Sequence, residues 1–362
     1  MARKIYTILA AVLLAVSCEN TVEKIWSDQN EAMLVVNAQM FQDQHNHRVF
    51  VNCSEGGSTS QIHDAAVTCS INGGAAITAL PVIREKELYY GEIAEEFYGY
   101  SFDADLNPGD EIAIAVRWKD LSASAKVKVP ESAATITAID TMKVVLAEEN
   151  SYTGGNSRTT RQYNITVKDK AGEKNYYMLR AEEIFYRFDA SGQMVASVSC
   201  KGDFDADYDR ILHPLESSIV EDYLGSDNRY QLFNDEMFAD ASCTLKIMDA
   251  YYYAYLDDAF QFFEQFEEGD SYAMDRIFKI YTLTFDEYLY LKALGSNDLD
   301  LEFMTEPVIY PENVTGGLGF VTVLTPSSWT ISFPMEPYTG EPPINAYRYR
   351  DPIPNRPDDY YY

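Results

Sequence analysis

NPGDEIAIAVRWKDLSASAKVKVP, residues 107–130, decides the fold class. Ile112, Ile114 and Val116 share one parity, and Ala123, Ala125, Val127 and Val129 repeat the pattern after a short break. Side chains on a strand alternate between its two faces, so each run predicts a strand with one buried face. Asn107-Pro108-Gly109-Asp110 supplies turn residues in front. Pro130 behind cannot donate to a sheet ladder, which closes the unit.

The same period runs N-terminally from this stretch. Residues 34–40, 47–53, 65–71, 76–82, 88–92 and 99–106 alternate apolar with polar residues or are rich in β-branched and aromatic types. Gly56-Gly57 and Asn72-Gly73-Gly74 separate them. Seven or eight short strands within residues 33–130 predict an antiparallel β-sandwich of immunoglobulin-like or transthyretin-like kind.

C-terminally, the small polar residues after Pro130 read as a hinge, and a second, larger β-rich domain is expected over 137–337. Its predicted strands are 139–147, 162–168, 175–188, 194–200, 244–248 and 276–283, with 308–310 and 320–324 around a glycine cluster. Helical spacing marks 212–224 and 285–294. In the latter Tyr288, Leu291 and either Ala293 or Leu294 turn inward, and Asp286-Glu287 occupies the first turn, where the helix dipole favours anions. Residues 251–270, YYYAYLDDAFQFFEQFEEGD, are aromatic and acidic without a basic residue. An insertion packing its rings on the sheets is favoured there over an exposed ligand platform. Residues 338–362 form a tail rich in Pro, Tyr and Asp.

The N-terminus sets the compartment. Arg3 and Lys4 precede an apolar run over 5–16, too short for the roughly 20 residues that span a bilayer, so residues 1–17 read as a signal peptide. Leu14-Ala15-Val16-Ser17-Cys18 resembles a bacterial lipobox, which implies that Cys18 is lipidated and that residues 18–32 tether the first strand to the outer membrane. Several acyl chains on one residue hold firmly, at about 0.8 kcal/mol per buried methylene. The formal charge is −29, and loss of Arg3 and Lys4 takes it two units lower. So acidic a chain repels phosphate backbones, which excludes nucleic acid as a partner.

Motifs for chemistry are sparse. Cys53, Cys69, Cys200 and Cys243 form no CxxC pair, and His45, His47, His63 and His213 do not recur at zinc-ligand spacing. Cys53 and Cys69 lie on the apolar phase of predicted strands, so a disulfide between them and two buried thiols fit equally. Asp203, Asp205, Asp207 and Asp209 in DFDADYD resemble the start of a calcium loop, but Tyr208 and Pro214 stand where Gly and Glu are needed. A Ca²⁺ ion there is the one cofactor to consider, and a solvated acidic loop is the favoured alternative. The sequence holds no Gly-x-Ser-x-Gly elbow and no Ser-x-x-Lys. With 57 acidic residues, any chosen carboxylate pair is uninformative about glycoside hydrolysis. The chain reads as non-catalytic.

The stretch TEPVIYPENVTGGLGF, residues 305–320, invites other readings. Asn313-Val314-Thr315 is a glycosylation sequon, without meaning in a bacterial lipoprotein. Gly316-Gly317-Leu318-Gly319 lies between predicted strands and lacks the strand-to-helix context of a phosphate loop. A tight turn or close backbone approach remains.

The order of these segments resembles a family of Bacteroidota outer-membrane lipoproteins designated as a domain of unknown function, DUF4249. The resemblance rests on the lipobox, Met33-Leu34-Val35-Val36-Asn37-Ala38, Lys126-Val127-Lys128-Val129-Pro130, Phe233-Asn234-Asp235-Glu236-Met237-Phe238 and Phe285-Asp286-Glu287-Tyr288. Its most specific block holds Glu306, Pro307, Asn313, Gly316, Gly317 and Gly319. It implies a cell-envelope protein accompanying a TonB-dependent receptor, with no assigned catalytic residue. The function expected is a binding or accessory module for that receptor or for a peptide or glycan ligand. The alternative is a fimbrial or adhesin-type subunit, and a carboxylate-dependent hydrolase ranks last. The sequence leaves open whether the protein faces the periplasm or the cell surface.

Overall fold

The computed structural model describes residues 32–55, 58–87, 93–148, 156–213, 228–238, 241–249, 262–296 and 310–340. The expected signal peptide, Cys18, the expected tether to residue 31, the strand expected at 88–92, residues 214–224 and 251–261, Glu306, Pro307 and the tail from 341 lie outside these. Within the described residues the chain is mostly β, as period-two patterning requires.

Eight strands come first: β1 (Met33–Phe41), β2 (Asn46–Glu55), β3 (Ser58–Gln61), β4 (Ala66–Ile71), β5 (Ile77–Glu87), β6 (Ile93–Asp103), β7 (Glu111–Trp118) and β8 (Leu121–Lys128). They bond in the order β1-β2-β6-β5-β4-β7-β8, antiparallel at every step, with β3 on β2. Leu34, Val36, Ala38 and Met40 of β1 share one buried cluster with Val49, Val51, Ile112, Ile114, Val116, Ala123 and Ala125. Alternation places these side chains, and burial of each large one contributes roughly 1.5–3 kcal/mol.

Then follow β9 (Ala134–Glu148), β10 (Asn156–Asp169), β11 (Tyr176–Phe188), β12 (Met194–Gly202), β13 (Phe204–Asp205), β14 (Leu232–Asn234), β15 (Ser242–Asp249) and β16 (Ser271–Leu283). Helix α1 (Phe285–Ser296), β17 (Val314–Thr315), β18 (Gly317–Leu318) and β19 (Val321–Pro337) complete the described chain. One sheet runs β13-β15-β10-β9, and β12-β11-β16-β19 forms another path. Tyr163, Ile165, Val167, Leu245 and Ile247 from the first meet Tyr177, Leu179, Ala181, Phe278 and Ile280 from the second in a separate core. Phe262, Phe263 and Phe266 pack with Phe185, Met274 and Tyr338, so the described end of the aromatic and acidic stretch covers a sheet.

The two halves join through β19. Residues Val321 to Leu324 pair parallel with Ala38 to Phe41 of β1, and from Thr325 onward the strand pairs antiparallel with β16. The hydrogen-bonded path therefore runs unbroken across the sequence boundary at Pro130. The segment expected to be a hinge is fastened. Thr325 Oγ1 donates to the Pro130 carbonyl at 2.7 Å, Ala133 N donates to Thr282 Oγ1 at 2.8 Å, and Ile136 N donates to Ser327 Oγ at 3.1 Å. Small polar residues look mobile in sequence because their partners, 149 to 195 positions away, cannot be seen there.

Candidate functional site

The glycine cluster fills a seam. β17 pairs with β8, Val314 opposite Ala125, and two residues later β18 pairs parallel with β1, Gly317 opposite Leu34. One short segment thus occupies both open edges of the first group of strands, which removes the unpaired edges that invite association. A Cβ on Gly316 would come within 2.6 Å of the Ser122 carbonyl oxygen, and Cβ atoms on Gly317 and Gly319 would overlap the carbonyl oxygens of Leu34 and Val36. Gly319 also takes φ +112°, in the region L-residues avoid. Close backbone approach, the reading left after the motif analysis, is what the glycines permit.

Asn313 locks this segment. Its Nδ2 donates to the Val321 carbonyl at 2.6 Å and its Oδ1 accepts from Val321 N at 2.8 Å, so the side chain imitates a strand partner. Phe320 N donates to Asn37 Oδ1 at 3.0 Å. Phe320 itself is buried and stacks on Tyr290, with centroids 4.9 Å apart. With both ends of its amide engaged, Asn313 is structural.

Two buried ionisable groups were missed by motif reasoning. Arg276 and Glu183 have 0% exposed side chains and stand directly opposite in the β11–β16 ladder. Arg276 Nε donates to Glu183 Oε1 at 2.9 Å, and its Nη2 donates to the same oxygen. Its Nη1 reaches Asp249 Oδ1 and, at 2.6 Å, the Tyr163 hydroxyl, which donates onward to Asp249 at 3.0 Å. The facing carboxylates hold the guanidinium charged against the pull of burial. Burial pushes the Tyr163 phenol up to about 12, with Arg276 opposing. This network joins the two sheets of the second core.

The second group is Glu287, 1% exposed, at the third residue of α1. Thr284 caps the helix, its Oγ1 accepting from Glu287 N at 3.2 Å. A carboxylate at this position usually turns back to the cap. Here it points to the sheet, where Thr322 Oγ1 of β19 donates to Oε2 at 2.9 Å and Oε1 accepts no hydrogen bond. Burial pushes its carboxyl up to about 8, despite Thr322, Gln39 and Arg180 nearby. Glu287 does lie in the first turn, as its position in the sequence requires, and it shares the inward face with Leu291, one turn on.

On the outward side of that first turn, chemistry-bearing side chains meet in the open. Tyr176, at the start of β11, is flanked in the ladder by Asn234 and Leu283. Its ring lies 5.2 Å from Phe285 and 4.9 Å from Tyr288 of α1, tilted against both. Lys174 Nζ sits 5.6 Å over the Tyr176 ring and pairs with Glu236. Glu236 belongs to a 3-10 turn (Asp235–Met237) capped by Asn234, whose Oδ1 accepts from Glu236 N at 3.0 Å. Phe285 is 52% exposed and Lys174 and Glu236 are exposed. Burial raises the Tyr288 phenol, helped by Glu236 and Tyr176. Three rings, an ammonium, a carboxylate and an amide thus form one surface cluster.

The seam glycines, Asn313 and the Phe285-Asp286-Glu287-Tyr288 turn are among the segments on which the sequence resemblance rested. A family model described as a domain of unknown function (DUF4249) matches residues 21–329. The chain belongs to the DUF4249 family. No functionally curated protein matches it. Among solved structures, a DUF4785 family protein from Legionella pneumophila is similar at 8% identity with a TM-score of 0.19, over 69% of this chain and 52% of that one. The DUF4249 chain thus spans about half the length of that protein, and the likeness carries no argument.

Other expected sites fare differently in the DUF4249 chain. Asp203 pairs with Lys201 at 3.4 Å, Asp205 accepts from Asp207 N, and Asp207 faces His213 at 4.0 Å. Asp209 is buried, with Oδ1 accepting from Ile211 N and Leu212 N and Oδ2 from Lys246 N at 2.6 Å. These contacts engage the four carboxylates with separate partners, and no group of three or more His, Cys, Asp or Glu side chains that could hold a metal ion occurs among the described residues. Cys53 and Cys69 are free, buried thiols, so the disulfide alternative is corrected. Cys53 of β2 lies opposite Leu34 and Ser60, Cys69 of β4 opposite Ile77 and Ile114, and burial pushes the Cys69 thiol up to about 11.

Proposed function

We propose that this DUF4249 protein is an outer-membrane-anchored lipoprotein that acts as a non-catalytic binding or accessory module for a TonB-dependent receptor or its ligand. The observation that carries the reading is the contrast between its two kinds of charged cluster. Arg276 and Glu183 are fully enclosed and paired with one another, with Asp249 on the far side of the guanidinium, whereas Lys174, Glu236, Tyr176 and Phe285 meet at the surface. Exposed rings beside polar groups suit reversible binding. The lipobox at Cys18 and the polar tether support attachment.

A polymerising fimbrial subunit fits less well. Such a subunit needs protease cleavage ahead of a groove-forming strand, and the arginines open to that reading lie inside strands, Arg48 in β2, paired with Ser101 of β6, and Arg84 in β5. Cleavage after Arg48 would strip out β1, which bonds to β2, β18 and β19 at once. The test is affinity purification of the tagged protein from cross-linked, detergent-solubilised envelopes, beside a Cys18→Ala variant. Recovery of a β-barrel receptor and loss of fatty-acid labelling in the variant are expected. If no receptor is recovered and labelling persists, the proposal fails.

A further inference from the structure

The surface cluster at the first turn of α1 narrows the class of ligand. We propose that Lys174, Tyr176, Asn234, Glu236, Phe285 and Tyr288 form a binding site for a neutral saccharide, an inference that rests on the binding-module reading above.

Three observations lead to this class. Phe285 offers a ring that is 52% exposed, and its inner neighbour Tyr176 is braced by Tyr288, so the platform is rigid before any ligand arrives. Sugars present an apolar face of C–H groups that stacks on such a ring. Around the platform stand an ammonium donor at Lys174, a carboxylate acceptor at Glu236, and Asn234 held by Glu236 N, so hydroxyls find both donors and acceptors.

The charges argue against the rival occupants. An anionic ligand would approach a chain of formal charge −29 whose nearest cation is already paired with Glu236. An apolar peptide laid on Phe285 would bury the Lys174–Glu236 pair and lose the hydration of both groups without replacing it. A hydroxylated neutral ring covers the aromatic surface and satisfies the pair together.

The experiment uses the full mature lipoprotein in a zwitterionic detergent, since alkyl maltosides and glucosides would themselves compete. Maltohexaose, cellohexaose, xylohexaose and mannohexaose are titrated by calorimetry and by saturation-transfer difference NMR. At least one is expected to bind saturably, and Phe285→Ala to weaken it about tenfold. Phe285→Leu, which keeps apolar bulk and removes the ring, is expected to weaken it to a similar degree, and Glu236→Gln to do so less. Thermal melts of each variant establish that the fold is kept. Absence of saturable binding by all four probes overturns the inference, and so does binding that Phe285→Leu leaves intact. Receptor capture that survives in Phe285→Leu while no saccharide binds overturns the saccharide site alone and leaves the accessory-module reading standing.

Discussion

Replacing Glu287 by glutamine should stabilise the protein in a pH-dependent way. Burial pushes this carboxyl from 4.5 to about 8, so the folded chain keeps a proton that the unfolded chain releases. Stability from this group is therefore complete below the unfolded value. It is lost as pH rises towards the folded one, and it levels off above. Each pH unit in that window costs about 1.4 kcal/mol, and the whole interval about 5 kcal/mol. Glutamine cannot ionise, and its carbonyl can still accept from Thr322 Oγ1, which leaves the position packed and bonded. Urea unfolding of both proteins from about pH 5 to about pH 9 reads out the difference directly, since all other titrating groups cancel. The advantage of the variant should be small at about pH 5 and grow by about 1.4 kcal/mol per unit to about pH 8. A difference that stays flat across the range, or a variant less stable throughout, would refute a buried neutral carboxyl beneath α1.

Removing one member of the inner network should be costly: Arg276→Met strands Glu183 and Asp249 in the core and is expected to lose about 3–5 kcal/mol. Adding Glu183→Met should recover much of that loss, and equal penalties for the single and double variants in denaturant melts would contradict the pairing. At the seam, Gly319→Ala must displace the Val36 carbonyl in addition to adopting a positive φ, and a loss of about 3 kcal/mol or more is expected. Gly192→Ala shares the positive φ with nothing within 4 Å and should lose only about 1–2 kcal/mol, so similar losses would remove the close-approach argument. Alkylation of the denatured, unreduced protein should modify Cys53 and Cys69 fully, and protection of both would restore the disulfide.

Much of the first group of strands was legible because each buried face is local. The parity of Ile112, Ile114 and Val116 is the parity found buried, and the helix at Phe285 began where its spacing placed it. The inner network left a trace too: Arg276 falls in the apolar phase of Met274, Phe278 and Ile280, and Glu183 in that of Leu179, Ala181 and Phe185. Two opposite charges in apolar phases ask for one another. Nothing local says that the two strands are neighbours, so the pair stayed invisible as a pair. The inward turn of Glu287 was hidden for a related reason, because a carboxylate in a first helical turn satisfies the dipole whichever way it points. What settles the direction is the bond from Thr322, on a strand that pairs with β1 some 280 residues away and that no local pattern places beneath the helix.

That long-range pairing also explains why the most specific motif lies near the C-terminus. β19 is bonded to β1 by its first four residues and to β16 by the rest, so any slip at the seam would move both cores. Asn313 and the three seam glycines fix the register at the start of β19, and Lys279 adds a second fastening by reaching Asp43 in the β1–β2 turn at 2.7 Å. Helix α1 rests on this joint through Glu287 and Thr322, while Phe285, two residues earlier, faces solvent in the aromatic cluster. The proposed binding face and the strand that follows the proposed membrane tether are therefore linked by one helical turn, one buried hydrogen bond to β19 and the pairing of β19 with β1. An occupant of the Phe285 face would press on an element already locked to the β1–β19 joint, and so would be held at a fixed orientation to β1 without help from a hinge at Pro130.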